Sequence, residues 1–452
     1  MVDLPPCSYY KKQKQGKIMT LKKSAQLFEQ NKEVLAGGVS SDIRKAELPH
    51  PLYFESGKGS RIKDVDGNEY IDYVLGQGPL LLGHNPRQVI DAVHEQLEKG
   101  LIFAGQHQAE VELAQLMTNI IPCADRIRFN STGSEAVITA LRVARAYRDR
   151  NLVVKFEGQW HGWYDSVFIS TAPDLEKAGN RKNPVPSLPS KGQVANAADN
   201  LIIMPWNDLD LLNELFKERG EEIAAILTEP VMCNAGTILP KPGFLEGLRQ
   251  LCDQYQTALI FDEVITGFRL SLGGAQGHYQ VTPDIATYAK GIASGFTLSA
   301  VAGKAHFMDL ISSGQVIHAG TYNSNPIVIA AGLATLKFLA AEEDKIYGHL
   351  NSLGSRLHKG LTELLQDAGI SSIVTGLGPV VQVSLTDQDV ITDYRDWANR
   401  DNATYQKMVT DLVFKGVRTT GRGSWYISYA HTAEDIDITL NTFKEVLINF
   451  KQ

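Results

Sequence analysis

The stretch Ala258-Leu-Ile-Phe-Asp-Glu-Val-Ile-Thr-Gly-Phe-Arg269 opens with four apolar residues and turns acidic at Asp262. A short apolar run of this kind predicts a strand buried on both faces, the usual state of strands in parallel sheets. Working outward, residues 126–129, 153–156, 201–204 and 224–228 share its β-rich texture, and helix-period segments at 88–98, 109–120 and 134–148 alternate with them. This alternation predicts an α/β fold with a mostly parallel sheet flanked by helices. In such sheets ligands gather at the carboxyl ends of the strands, which is where Asp262 falls.

The flanks have a different texture. An amphipathic helix at 21–36 ends at Gly37-Gly38, and short strands follow at 52–54, 61–64 and 70–74, with a hairpin turn at Asp66-Gly67. Beyond about residue 345 come a helix (345–368), strands (372–374 and 380–385), a helix (402–415) and a strand (425–428). The expected organisation is a tail at 1–20, a large domain at 86–344, and a smaller α+β domain built from 21–85 and 345–452. The polar, Pro- and Gly-containing stretch 171–198 is expected to be a long surface loop near the site, a candidate lid.

Composition narrows the function class. At 452 residues the chain exceeds what one hydrophobic core organises. A net charge of −7 argues against nucleic-acid or anionic-membrane partners. No apolar run approaches the roughly 18 residues of a transmembrane helix. Four scattered cysteines, with no CxxC pair, predict neither a disulfide scaffold nor a metal site, and fit a reducing cytoplasm. The first 18 residues, carrying Lys11, Lys12, Lys14 and Lys17, are expected to be a disordered basic tail without the apolar core of a secretory signal. Met19 directly precedes helix-like sequence, which makes it a candidate start beside Met1.

Three elements carry chemistry. A carboxylate at a strand end, such as Asp262, needs a cationic partner, since an unpaired buried charge is costly. A protonated pyridine nitrogen would supply one and would make that ring an electron sink; helix capping or metal binding are the plainer alternatives. Lys290, in Tyr288-Ala-Lys-Gly-Ile-Ala-Ser-Gly295, is followed by small residues that let backbone pass close to a ring. Enclosed, its amine would be a nucleophile or base; otherwise it is one more surface lysine. Asn130-Ser-Thr-Gly-Ser-Glu-Ala136 joins a strand to a helix start, where hydroxyls and free N–H groups suit a phosphate. Ordinary capping by Ser131 or Thr132 with Glu135 explains the same pattern.

Two further stretches complete a cup. Phe156-Glu-Gly-Gln-Trp-His-Gly162 offers Trp160 for ring stacking and His161 to steady a carboxylate, or simply a structural histidine. Gly320-Thr-Tyr-Asn-Ser-Asn-Pro326 offers Thr321 as a phosphate donor, or an ordinary polar turn. Phosphate cup, acidic strand end and lysine are complementary parts of one cofactor site.

With these motifs the chain resembles the class III, fold-type I pyridoxal phosphate (PLP) aminotransferases, nearest their glutamate-semialdehyde aminomutase branch. The resemblance spans residues 21–440 and rests on AGGVSSDIR, DVDGNEYIDY, NSTGSEA, FEGQWHGW, EPVMCNAG, FDEVITGFR, YAKGIASG, AGTYNSNP and SYAHTAEDI. It implies that Lys290 is the Schiff-base lysine and the base of the proton shift, and that Asp262 pairs with the pyridinium. It further implies Val264 under the ring and Trp160, where the branch usually has Tyr, stacked on the other face. Thr132, Gly133 and Ser134 would hold the phosphate, Asn234 would lie near the phenolic oxygen, and Thr321 would act in trans across a homodimer. Arg44 matches the arginine that grips a substrate carboxylate in that branch, with a surface arginine as the alternative.

Two departures separate the chain from the aminomutases. Their Gly-rich run ending in Leu-Pro becomes Ala-Ser-Gly-Phe-Thr-Leu-Ser at 293–299, and their acidic residue near the C-terminal substrate loop becomes Gly-Arg-Gly-Ser-Trp at 421–425. Arg422 is therefore expected in the pocket, where a second guanidinium suits an oxo acid. The expectation is a ping-pong aminotransferase acting on a carboxylate-bearing amine, such as a β-amino acid. An aminomutase or epimerase is the first alternative, and a non-catalytic dimeric binding protein the second. A nucleotide-binding Rossmann enzyme is excluded by the lack of GxGxxG after an early strand.

Overall fold

A computed structural model describes residues 19–450 of the chain. The four lysines of the expected basic tail lie outside the described residues.

Seven strands form the central sheet, in the order Arg126–Asn130, Ser299–Gly303, Ile285–Tyr288, Ala258–Asp262, Ile223–Thr228, Leu152–Phe156 and Leu201–Met204. Six run the same way, and Ser299–Gly303 runs against its two neighbours. Every residue of the four strands from Ile223 to Gly303 is buried, which explains their unbroken apolar runs. The pleat then sorts alternate side chains to opposite faces. Ala258 and Ile260 join one hydrophobic cluster with Val137, Leu141 and Phe307, while Leu259 and Phe261 join the other with Phe244 and Leu248. Each such large side chain contributes about 1.5–3 kcal/mol of burial.

Two of these strands, Ile285–Tyr288 and Ser299–Gly303, were absent from the set expected from sequence. Ser-Ala-Val-Ala-Gly is poor in β-branched and aromatic residues, so it carries little β signal. The omission matters because Thr287 is the register partner of Asp262. That pairing brings the chain leading to Lys290 alongside the acidic strand end.

Helix Gly133–Arg148 begins directly after the Arg126–Asn130 strand, and its buried face (Val137, Ala140, Leu141, Ala144) covers one side of the sheet. Away from the centre, Glu69–Asp72 pairs in parallel with Val417–Arg418, so both ends of the chain share a four-stranded sheet. The first expected strand, 52–54, is displaced to Phe54–Lys58. The polar stretch 171–198 carries a small hairpin of Gly179–Asn180 and Asn183–Pro184. Arg395 fastens that hairpin by donating to Gly179 O at 2.9 Å and to the buried Glu157 carboxylate at 2.7 and 2.9 Å. Among the described residues, no helix is long and apolar enough to cross a membrane, and no cluster of three metal-ligating side chains occurs.

Candidate active site

The carboxyl ends of the parallel strands bring several of the expected residues together. Asp262 closes the Ala258–Asp262 strand, is buried, and accepts three hydrogen bonds. Thr287 Oγ1 and the Val264 N–H each donate to Oδ1 at 3.1 Å, and His161 Nδ1 donates to Oδ2 at 2.7 Å. Desolvation holds the His161 pKa below the ordinary imidazole value, against the pull of Asp262. An ionised carboxylate only accepts, so the nitrogen that faces Asp262 carries a proton. Its Nε2 is buried without a hydrogen-bond partner.

The helix start after Asn130 shows both features that its sequence allows. Glu135 accepts from the Ser131 and Thr132 N–H groups at 3.1 and 2.7 Å and from Thr132 Oγ1 at 2.9 Å, which completes a capping box. The N–H groups of Gly133 and Ser134 then have no intrahelical acceptor, so an anion can still bind there. Glycine at 133 permits close approach: a β-carbon there would lie 3.1 Å from Val264 Cγ2 and 3.6 Å from Ala289 Cβ. Gly162, with φ +116°, approaches the same helix start from the other side, and a β-carbon there would lie 2.6 Å from Ser134 Oγ. The loop carrying Trp160 and His161, the phosphate-type helix start and the Val264 turn are thus packed side by side.

Lys290 follows the Ile285–Tyr288 strand in a left-handed conformation (φ +45°) and opens the short turn Lys290–Ala293. Its pKa is lowered to about 8, chiefly by desolvation and then by the positive charge of Arg422, with Glu229 and Asp262 acting in the opposite sense. Arg422 is half-buried. One of its terminal nitrogens lies 3.5 Å from Gln77 Oε1 and 3.4 Å from the Tyr426 hydroxyl, and its Nε is buried without a partner. Arg422 is thus near enough for its charge to act on Lys290, and its Nε has no partner.

Trp160 packs edge-on against Phe168, with ring centres 5.1 Å apart. Asn234 donates from Nδ2 to Glu229 Oε1 at 2.9 Å. Arg44 and Thr321 are not gathered into this group: both are exposed, Arg44 on the four-residue helix Asp42–Lys45 and Thr321 in the turn before Pro326–Ala341. The Arg44 segment does run beside the Arg422 loop, since a β-carbon on Gly421 would lie 3.1 Å from Leu48 Cδ1.

Two buried ionisable residues escaped the sequence reading. Glu229, just past the Ile223–Thr228 strand, has its pKa raised by desolvation to about 7. Its signal was the one that exposed Asp262, a carboxylate ending an apolar strand. Lys155 sits within Leu152–Phe156 and donates to Gln159 O (3.1 Å) and Ile169 O (2.6 Å), bracing the loop that carries Trp160; desolvation lowers its pKa to about 7.

Comparisons with known proteins identify the family and the fold. The family model described as aminotransferase class-III matches residues 43–447. A glutamate-1-semialdehyde 2,1-aminomutase of Lachnoclostridium phytofermentans is 39% identical over 430 residues, covering 94% of this chain and 99% of that protein. An ω-transaminase structure from Sphaerobacter thermophilus superposes with a TM-score of 0.90 at 32% identity, over 95% of this chain and 98% of that one. A transaminase solved with PLP bound gives 0.87 at 28% identity over the same shares. The site fits that cofactor: a carboxylate at a strand end, a lysine just past the neighbouring strand, a helix start with free N–H groups, and a glycine at 133 where a side chain would crowd the wall formed by Val264.

Proposed function

Because the chain belongs to the class-III aminotransferase family and takes pyridoxal 5′-phosphate as cofactor, we propose that it moves an amino group from a carboxylate-bearing amine to an oxo acid in two alternating half-reactions. When bound, the cofactor supplies an aldehyde that captures amines and a ring that absorbs negative charge. Lys290 would hold it covalently at rest; once released, its amine would be the base that takes the proton from the amine-bearing carbon of the substrate. Asp262, oriented by His161 and Thr287, would hold the proton on the ring nitrogen. Thr132, Gly133 and Ser134 would bind the phosphate, Val264 and Trp160 would flank the ring, and Asn234 would lie near the phenolic oxygen.

Arg422 carries the choice of reaction. Its unused donors beside Lys290 suit the carboxylate of an incoming acid, and Arg44 is the second candidate for that task. An amino donor with its own carboxylate, such as a β-amino acid, fits this pair. Thr321 would serve the phosphate of a second copy, and the exposed Ile317 and Tyr322 near it are apolar surface that such a copy would cover. The free cysteines Cys123, Cys233 and Cys252 support a cytoplasmic setting.

The test is a half-reaction. Loaded enzyme given a donor but no oxo acid should form one equivalent of product and stop, then resume when an oxo acid is added. The aminomutase reading draws on the name of the 39% identical relative; sustained turnover of glutamate 1-semialdehyde without any oxo acid would establish it instead.

A further inference from the structure

Glu229 has no part in the chemistry above, yet it is 4% exposed and lies among the walls of the site. Its carboxylate collects three donors from two loops. The Trp160 N–H (2.8 Å) and Asn234 Nδ2 (2.9 Å) meet Oε1, and the Asn234 N–H (3.2 Å) meets Oε2. Gln159 adds a reciprocal pair to the backbone: the Glu229 N–H donates to Gln159 Oε1 at 3.0 Å, and Gln159 Nε2 donates to Glu229 O at 3.3 Å. Trp160 follows the Leu152–Phe156 strand and Asn234 follows Ile223–Thr228, so the carboxylate spans two separate connections. Among the described residues, no other hydrogen bond joins Trp160 to Asn234.

A buried carboxylate is an expensive way to join two loops. Replacing buried ionic groups by neutral ones of similar volume is often neutral or stabilising, so folding alone gives weak reason for a charge here. What the carboxyl group adds is two acceptor oxygens fixed in one plane, which hold donors from both loops and limit how far these can move apart. We infer that Glu229 is a positioning residue that locks the Trp160 wall to the Asn234 wall and so sets the width of the slot that receives the cofactor ring. The inference rests on the reading of Trp160 and Asn234 as cofactor contacts.

The test is titration of apoenzyme with PLP, followed by circular dichroism of the cofactor band in the visible, for wild type, Glu229→Gln and Glu229→Asp. Glu229→Gln keeps one acceptor oxygen but turns a donor toward the Asn234 N–H. It should weaken PLP binding roughly tenfold, the equivalent of one charge-assisted hydrogen bond, and change the visible dichroism, while the apoenzyme melts as wild type does. Glu229→Asp should recover part of both. A variant that melts early yet binds PLP with wild-type affinity and dichroism would overturn the proposal. Should Glu229→Gln not fold, Asn234→Ser decides: it removes one of the three bonds and leaves the carboxylate, and unchanged dichroism would refute the lock. The titration contains neither amine nor oxo acid, so its outcome is separate from the choice between aminotransferase and aminomutase.

Discussion

His161 Nδ1 donates to Asp262 Oδ2 across 2.7 Å, and both side chains are buried, although 101 residues separate them in sequence. Asp262 thus has one oxygen held by the histidine and the other by Thr287 and the Val264 N–H. A carboxylate held on both oxygens cannot swing, and its direction toward the centre of the site is set before any ligand arrives.

Removing that restraint should slow the reaction without unfolding the protein. His161→Leu leaves Asp262 with partners on one oxygen only. The expected loss in kcat is roughly 10- to 100-fold, the range for a hydrogen bond to a charged group, with far-ultraviolet circular dichroism unchanged. A wild-type kcat in steady-state assays would show that the pairing is merely structural.

The lowered pKa of Lys290 sets a pH dependence. With a value of about 8 in the folded protein against about 10.4 for a free lysine, the neutral amine is the minor form at pH 7 and the major form above pH 8. Capture of PLP by apoenzyme, followed at its absorbance maximum in stopped flow, should accelerate about tenfold per pH unit below 8 and level off above it. The stability consequence has the same direction. Between about pH 8 and 10.4 the unfolded chain binds this proton and the folded chain does not, so the contribution of Lys290 becomes less unfavourable as pH rises through that window. Lys290→Ala should abolish both capture and turnover.

Arg422→Met tests the pocket's second charge. Removing the cation relieves repulsion on Lys290, so the midpoint of the capture profile should move to higher pH. The variant also loses the proposed carboxylate partner, so KM for the oxo acid should rise by roughly 10-fold or more while PLP affinity changes little. A variant that shifts neither the midpoint nor KM would remove Arg422 from the site.

Gly162→Ala should be damaging although it adds a single methyl group. The residue has φ +116°, and the new carbon would fall 2.6 Å from Ser134 Oγ and 3.2 Å from Ser134 Cα. Backbone strain of this type costs about 1–3 kcal/mol. A lower apparent melting temperature and weaker PLP binding are expected together, because the clash falls on the helix start proposed to hold the phosphate. A melting curve like that of wild type would show that the loop can yield.

Much of the site was legible in the sequence because its signals are local. The acidic end of the 258–262 strand, the small residues after Lys290 and the Thr132–Glu135 capping box each depend on a few neighbouring residues, and the first and last were found in the structure as the pattern implied. Periodicity also identified most of the strands, since burial on both faces leaves an unbroken apolar run.

What lay beyond reach was adjacency. An apolar run records that a strand is buried, but not which strand lies next to it; that order is chosen by packing of the connecting helices against both faces. So the alignment of Asp262 with Thr287 and the bridge that Glu229 makes between Trp160 and Asn234 were decided by tertiary structure alone. The chain's residue types determined that a lysine, an acid and an anion-binding helix start would be present. Which neighbours each of them meets was determined by the folded sheet, because contacts between distant segments depend on sheet order and leave no periodic trace in either segment.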